Sequence, residues 1–155
     1  MLRRAFPMLA AGAVVGMIIA SMSIASAQTD GSETITVVAK TVKFKPVDLG
    51  ATGESPGDLV VIKNRLWDQA QQTQVGANWI NCTQSFGPVA VCTAAVQING
   101  RGQLTGTGKV PLNAESFDFP ITGGTGDFAN VTGWVHVTSQ GDSQELEEYH
   151  LDNVG

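Results

Sequence analysis

The chain has 155 residues, enough for one domain with a modest core, and carries nine basic against fourteen acidic residues. Without Arg3 and Arg4, which fall in a removable-looking leader, the balance is seven against fourteen, a net charge of about −7. That field repels phosphate backbones and anionic lipid headgroups, which argues against nucleic acid as a partner.

In chain order, Arg3 and Arg4 precede an apolar run from Met8 to about Ile24, and Ala25-Ser26-Ala27 supplies small residues where a signal peptidase reads. The rival, a transmembrane anchor, needs about 20 apolar residues. This run is shorter, rich in Ala and Gly, and ends at a cleavage-like site. The expectation is a signal peptide over residues 1–27 and one domain over 28–155, secreted or periplasmic, with no membrane contact after cleavage. Arg3-Arg4 leaves the choice between the general and the twin-arginine export route open.

The mature region then reads as strands parted by glycine-rich turns. Apolar and β-branched runs cover 34–44, 58–67, 73–82, 89–98, 102–110, 116–122, 133–138 and 144–151. No stretch sustains a helical period, and 68–74 is expected to be a loop. About eight such runs predict an all-β protein, an up-and-down barrel or a sandwich.

Alternation assigns faces. Val60, Ile62, Asn64 and Leu66 share one side; Val61, Lys63, Arg65 and Trp67 share the other, which the charges mark as outward. Asn64 therefore points inward among apolar neighbours. Cys92, Ala94, Val96 and Ile98 form an inward row faced by Asn78, Ile80 and Cys82. Trp67 and Trp79 are expected outside, at a surface available to other subunits.

Cys82 and Cys92 are the only cysteines. An exported chain favours joining them, and their shared side of adjacent strands suits a cross-strand bridge. A reactive thiol or a metal pair is the alternative, but both histidines are far off in sequence and there is no Cys-x-x-Cys spacing. No metal site and no cofactor are expected.

Gly123, Gly124 and Gly126 raise a separate question, because Gly124-x-Gly126-x-x-Ala129 has the spacing of a dinucleotide fingerprint. That fingerprint works by opening a helix inside a βαβ unit. Here a period-two run follows, Asn130 to Val137, so these glycines read as a structural turn that permits positive φ angles or close backbone approach. Phe128 is then expected to plug the end of the core.

The run Pro56-Gly57-Asp58-Leu59-Val60, continuing to Asn64-Arg65-Leu66, together with Phe119 to Phe128 and Gly133, resembles the allene oxide cyclase family, as a bacterial-type secreted member, and more distantly the dirigent proteins. The resemblance spans roughly residues 34–151. It implies an eight-stranded antiparallel β-barrel with an apolar lumen, often trimeric, in a superfamily whose members close a reactive epoxide or steer radical coupling. By that resemblance Asn64 matches a pocket asparagine that helps hold a water, Val60 and Ile62 match pocket walls, and Cys82 aligns with a pocket cysteine. The chain departs from the pattern in two places: 34–44 contains no acid where the plant enzymes use a first-strand glutamate, and the sole tyrosine, Tyr149, is no evident counterpart of the pocket tyrosine.

His136 alternates with Val135 and Val137 and is expected outside with Trp134. His150 lies beside Glu147, Glu148 and Asp152, which read together as a solvated acidic edge. The resulting expectation is a barrel that binds a small hydrophobic molecule against Val60, Ile62, Asn64, Asn78 and Ile80, and directs its cyclisation or coupling as an isomerase would, with no catalytic residue assigned. Asn64 either contacts the ligand or pairs with Asn78 or backbone groups. The alternative is a non-enzymatic interaction barrel with a filled core.

Overall fold

A computed structural model describes residues 31–155; the expected signal segment lies outside the described residues. Nine strands follow in order: β1 Gly31–Val47, β2 Leu59–Trp67, β3 Gln74–Gln84, β4 Val89–Ile98, β5 Gly102–Pro111, β6 Ser116–Ile121, β7 Gly123–Gly126, β8 Thr132–Gly141 and β9 Gln144–Val154. Eight of them coincide with the eight predicted runs. No helix occurs among the described residues, and none is long and apolar enough to cross a membrane.

All pairings are antiparallel, in the order β6-β8-β9-β1-β2-β3-β4-β5-β7. The expected eight-stranded closed barrel is therefore corrected to a nine-stranded antiparallel sheet that is rolled but not closed. Its edge strands β6 and β7 are consecutive in the chain, separated by Thr122. β6 pairs with β8; then the backbone crosses to β5, where Thr122 N–H donates to Thr105 O (2.8 Å) and β7 takes up the ladder. Pro120 helps explain why β6 ends the sheet, since it has no N–H to offer a second neighbour. Gly106 lets this edge approach β5 closely: a Cβ there would lie 2.4 Å from Pro120 O.

The glycine-rich stretch is also corrected, from a simple turn to a short strand. Gly123 and Gly126 do have positive φ (154° and 64°). Gly124 is required for a different reason: a Cβ would meet Gln103 O at 2.3 Å and Phe128 O at 2.6 Å. Phe128 behind it is fully buried, and no helix follows the glycines.

Hairpin connections alternate between the two ends of the roll, and the ends differ. At one end Leu66, Leu104, Phe128, Val131 and Leu151 are fully buried or nearly so. Arg101 spans that end, donating to both carboxylate oxygens of Glu33 (2.6 and 2.8 Å) and to Asp127 Oδ2 (3.0 Å), with its guanidinium 4.8 Å from the Phe128 ring centroid. At the other end the inward residues Val60, Ile62, Ile80, Ala94 and Phe117 are only half-buried. Phe44, Leu49, Phe86 and Leu112 stand exposed around them. A register shift in β1 between Thr41 and Lys43, a bulge that bends the strand, carries Phe44 to this rim.

Candidate functional site

Two hairpins and the last strand position the site. The β2–β3 turn is tied by Asp68, whose carboxylate accepts from the N–H groups of Gln72 (2.8 Å) and Thr73 (3.2 Å). Those donors hold its carboxyl below the usual range. The register this turn sets places Asn64 directly opposite Asn78 and Ile62 opposite Ile80. On the rim, Asp58 ties the β1–β2 loop in the same manner, accepting from Leu49 N–H (2.8 Å) and Ser55 N–H (2.7 Å). The next hairpin is fastened by the Cys82–Cys92 disulfide between directly paired residues of β3 and β4, Cα atoms 4.0 Å apart. The bridge agrees with the expected pairing and leaves no free thiol among the described residues.

Each lining candidate lies on the inward face. Asn64 and Asn78 are 2% and 1% exposed, while Val60, Ile62 and Ile80 stay half-buried on the open side of them. The asparagines thus form a polar floor beneath an apolar, partly exposed upper half.

Facing that floor are two residues that sequence reasoning missed. Glu147 and Tyr149 on β9 are 3% and 2% exposed. The expected solvated acidic edge is corrected here: Glu147 points inward with Tyr149 and Leu151, while Glu148 and His150 occupy the opposite face. Strand alternation carried the signal, since Glu147, Tyr149 and Leu151 share a parity; the dense run of acids obscured it. Glu147 is flanked across the ladders by Val37 and Val137. Asn78 Nδ2 donates to Glu147 Oε1 (2.9 Å), and Tyr149 O–H donates to Glu147 Oε2 (2.5 Å). β3 and β9 are separated in the sheet by β1 and β2, so the Asn78 contact reaches across the rolled interior.

Burial is the main force on the carboxyl and pushes Glu147 up to about 7; nearby Glu145 adds to this, and the hydrogen bonds from Tyr149 and Asn78 oppose it. Burial also raises Glu145, and burial together with the adjacent glutamates puts Tyr149 well above its ordinary value. The site therefore presents a carboxyl group that can both give and take a proton near neutrality.

Asn64 Oδ1 and Asn78 Oδ1 have no hydrogen-bond partner among the described residues. An unpaired buried acceptor costs about 1–3 kcal/mol, so two side by side are a sizeable deficit for a small domain.

The outer face is distinct. His136 lies outside as expected, with Nδ1 2.6 Å from Asp118 Oδ1. Trp134 stacks on His150 (ring centroids 4.0 Å apart) beside a shallow groove of about 350 Å³ that includes Thr34 and Asp152. Trp67 and Trp79 sit under Lys40 and Lys63, with ammonium groups 5.4 and 5.2 Å from the rings. No three His, Cys, Asp or Glu side chains converge into a metal-binding group among the described residues.

No family model and no curated protein matches the chain. Solved structures do. Pyocyanin demethylase aligns at TM-score 0.69 with 25% identity, over 77% of this chain and 99% of that one. The Diels–Alderase from Streptomyces koyangensis aligns at TM-score 0.66 with 12% identity, over 84% and 72%. A pterocarpan synthase dirigent protein aligns at TM-score 0.65 with 14% identity, over 81% and 97%. These likenesses show that the chain shares its fold with a demethylase, a Diels–Alderase and a dirigent protein.

Proposed function

We propose that the protein binds a small hydrophobic molecule in the open half of the rolled sheet, above the floor made by Asn64, Asn78, Glu147 and Tyr149. Val60, Ile62 and Ile80 form the apolar wall. The molecule is held in one shape while Glu147 supplies or removes a proton, and cyclisation or coupling are the conversions that such confinement favours. The observation that carries this reading is the buried carboxyl of Glu147, poised near pH 7 and held between Asn78 and Tyr149 at the base of an interior with one half-buried end. A core built only for stability gains nothing from such a group, because an apolar replacement would avoid its desolvation. Likeness to pyocyanin demethylase, a small-molecule enzyme by its name, favours the same reading. We place the protein outside the cytoplasm as a secreted member of the superfamily, supported by the leader pattern and the disulfide.

Titration with an apolar fluorescent dye, and with pyocyanin itself, tests the proposal. Saturable binding by the wild type that weakens in Asn64→Leu is expected; non-saturable signal in both proteins removes it.

A filled, non-catalytic core with an associating outer face is the second reading. It is favoured by the full burial of Leu66, Leu104 and Phe128, and by exposed Val61, Trp79 and Val91 on the outer side of β2–β4. That surface is where a homo-oligomer, such as a trimer, would form. Sedimentation showing a monomer, together with saturable dye binding, would decide against it.

A further inference from the structure

Resting on the small-molecule reading above, we infer the chemical class of the occupant: an apolar molecule that presents an N–H or O–H donor to the paired Asn64 and Asn78 oxygens and carries no anionic group. Both oxygens belong to side chains at least 98% buried on the inward face, and neither has a partner among the described residues. Asn78 has already committed its Nδ2 donor to Glu147, so what it offers a ligand is an acceptor. Asn64 stands directly opposite it on the neighbouring strand, which brings the two side chains within about 5 Å at Cβ. Each oxygen exposes less than 1 Å², so an amine or hydroxyl group would meet the pair only where the neighbouring side chains part to admit it.

Charge points the same way. The buried polar side chains are Asn64, Asn78 and Glu147, with Glu145 partly buried nearby, and no lysine or arginine is buried among the described residues. A carboxylate in this interior would face unpaired oxygens and acidic groups with no cation to meet it. A protonated or neutral donor meets complementary atoms instead. The apolar wall of Val60, Ile62 and Ile80 favours a ring system over a strongly hydrated ligand.

A matched pair of fluorescent probes tests this, 9-aminoacridine against acridine-9-carboxylate, titrated into the mature protein at 0.15 M salt to screen its overall negative charge. The amine is expected to bind saturably and at least about tenfold more tightly than the carboxylate. Asn64→Leu, which leaves the net charge unchanged, should bring the two probes to within about threefold of each other, and Asn64→Asp should widen the gap. Equal or tighter binding of the carboxylate, or an amine preference untouched in Asn64→Leu, overturns the inference while leaving a small-molecule site in place. Failure of both probes to bind saturably defeats the inference and the parent reading together. Should Asn64→Leu not fold, the Asn64→Asp arm decides alone: an unchanged or smaller gap overturns the proposal.

Discussion

The two ends of the rolled sheet are made by the same strands yet do opposite things. At one end, strand residues and the 127–131 loop bring Leu66, Leu104, Phe128 and Val131 to near-complete burial, and Arg101 spans the outside between Glu33 and Asp127. At the other, the same inward parity yields half-buried Val60, Ile62 and Ile80 within a ring of exposed Phe44, Leu49, Phe86 and Leu112. Between them lies the polar floor. The difference teaches that one inward face can be packed shut at one end and left half-buried along Val60, Ile62 and Ile80 at the other, with the buried carboxyl of Glu147 between them.

Mutations separate the halves. Phe128→Ala removes a fully buried ring from the closed end and is expected to cost about 3–5 kcal/mol in urea denaturation, with little change in dye affinity beyond what unfolding causes. If the loss is under about 1 kcal/mol, the closed end is not the stability centre.

Glu147 sharpens the boundary between halves. Its carboxyl titrates near 4.5 in the unfolded chain and about 7 in the fold. Between those values the folded protein binds more protons than the unfolded one, so its stability is full below about pH 4.5 and falls as pH rises through about 7. The loss is on the order of 3 kcal/mol at pH 8 relative to pH 4.5. Burial of Glu145 steepens it in the same direction. Denaturation curves at several pH values check the slope, and Glu147→Gln should remove most of it.

Cutting the bridge by a Cys82→Ala and Cys92→Ala double change frees a loop of sequence separation 10. A decrease of roughly 2.5–3 kcal/mol is expected from chain entropy. Differential scanning calorimetry should show one lowered transition, since the bridged hairpin shares its core with both ends.

The smallest effect belongs to the open end. Ile62→Ala, at a half-buried wall position, is expected to cost less than about 1.5 kcal/mol while weakening dye binding severalfold. A destabilisation equal to that of Phe128→Ala would erase the proposed division of labour.

Much of the fold was legible in the residues. Period-two alternation located eight strands and turned Asn64, Asn78 and both cysteines inward, because in an extended chain side-chain direction follows from parity alone. It could not reveal β7: Gly123 to Gly126 carry little side-chain pattern, and their strand exists only because Gly102 to Thr105 runs alongside. Closure of the sheet was likewise misjudged: strand count left a barrel or a sandwich open, and the closed barrel came from the family resemblance. Whether edges join depends on where Pro120 and the crossing at Thr122 put the last donors, which no strand count contains. The site was half legible. Asn64 stood out as a lone amide on an apolar face, whereas Glu147 was hidden by its acidic neighbours and read by composition when parity was the better guide.

By itself, then, the amino-acid order determined the strands, their inward and outward faces, the disulfide partners and the absence of a phosphate-binding helix after the glycines, since each follows from local geometry and the reach of short hairpins. Only the tertiary structure decided that Asn78 on β3 meets Glu147 on β9, that two amide oxygens beside it have no partner among the described residues, and that one end of the roll is fully buried. Those facts depend on the curvature that carries residues 69 positions apart into hydrogen-bonding distance. Such curvature is a sum over all the strands between them, and no short stretch of chain encodes it.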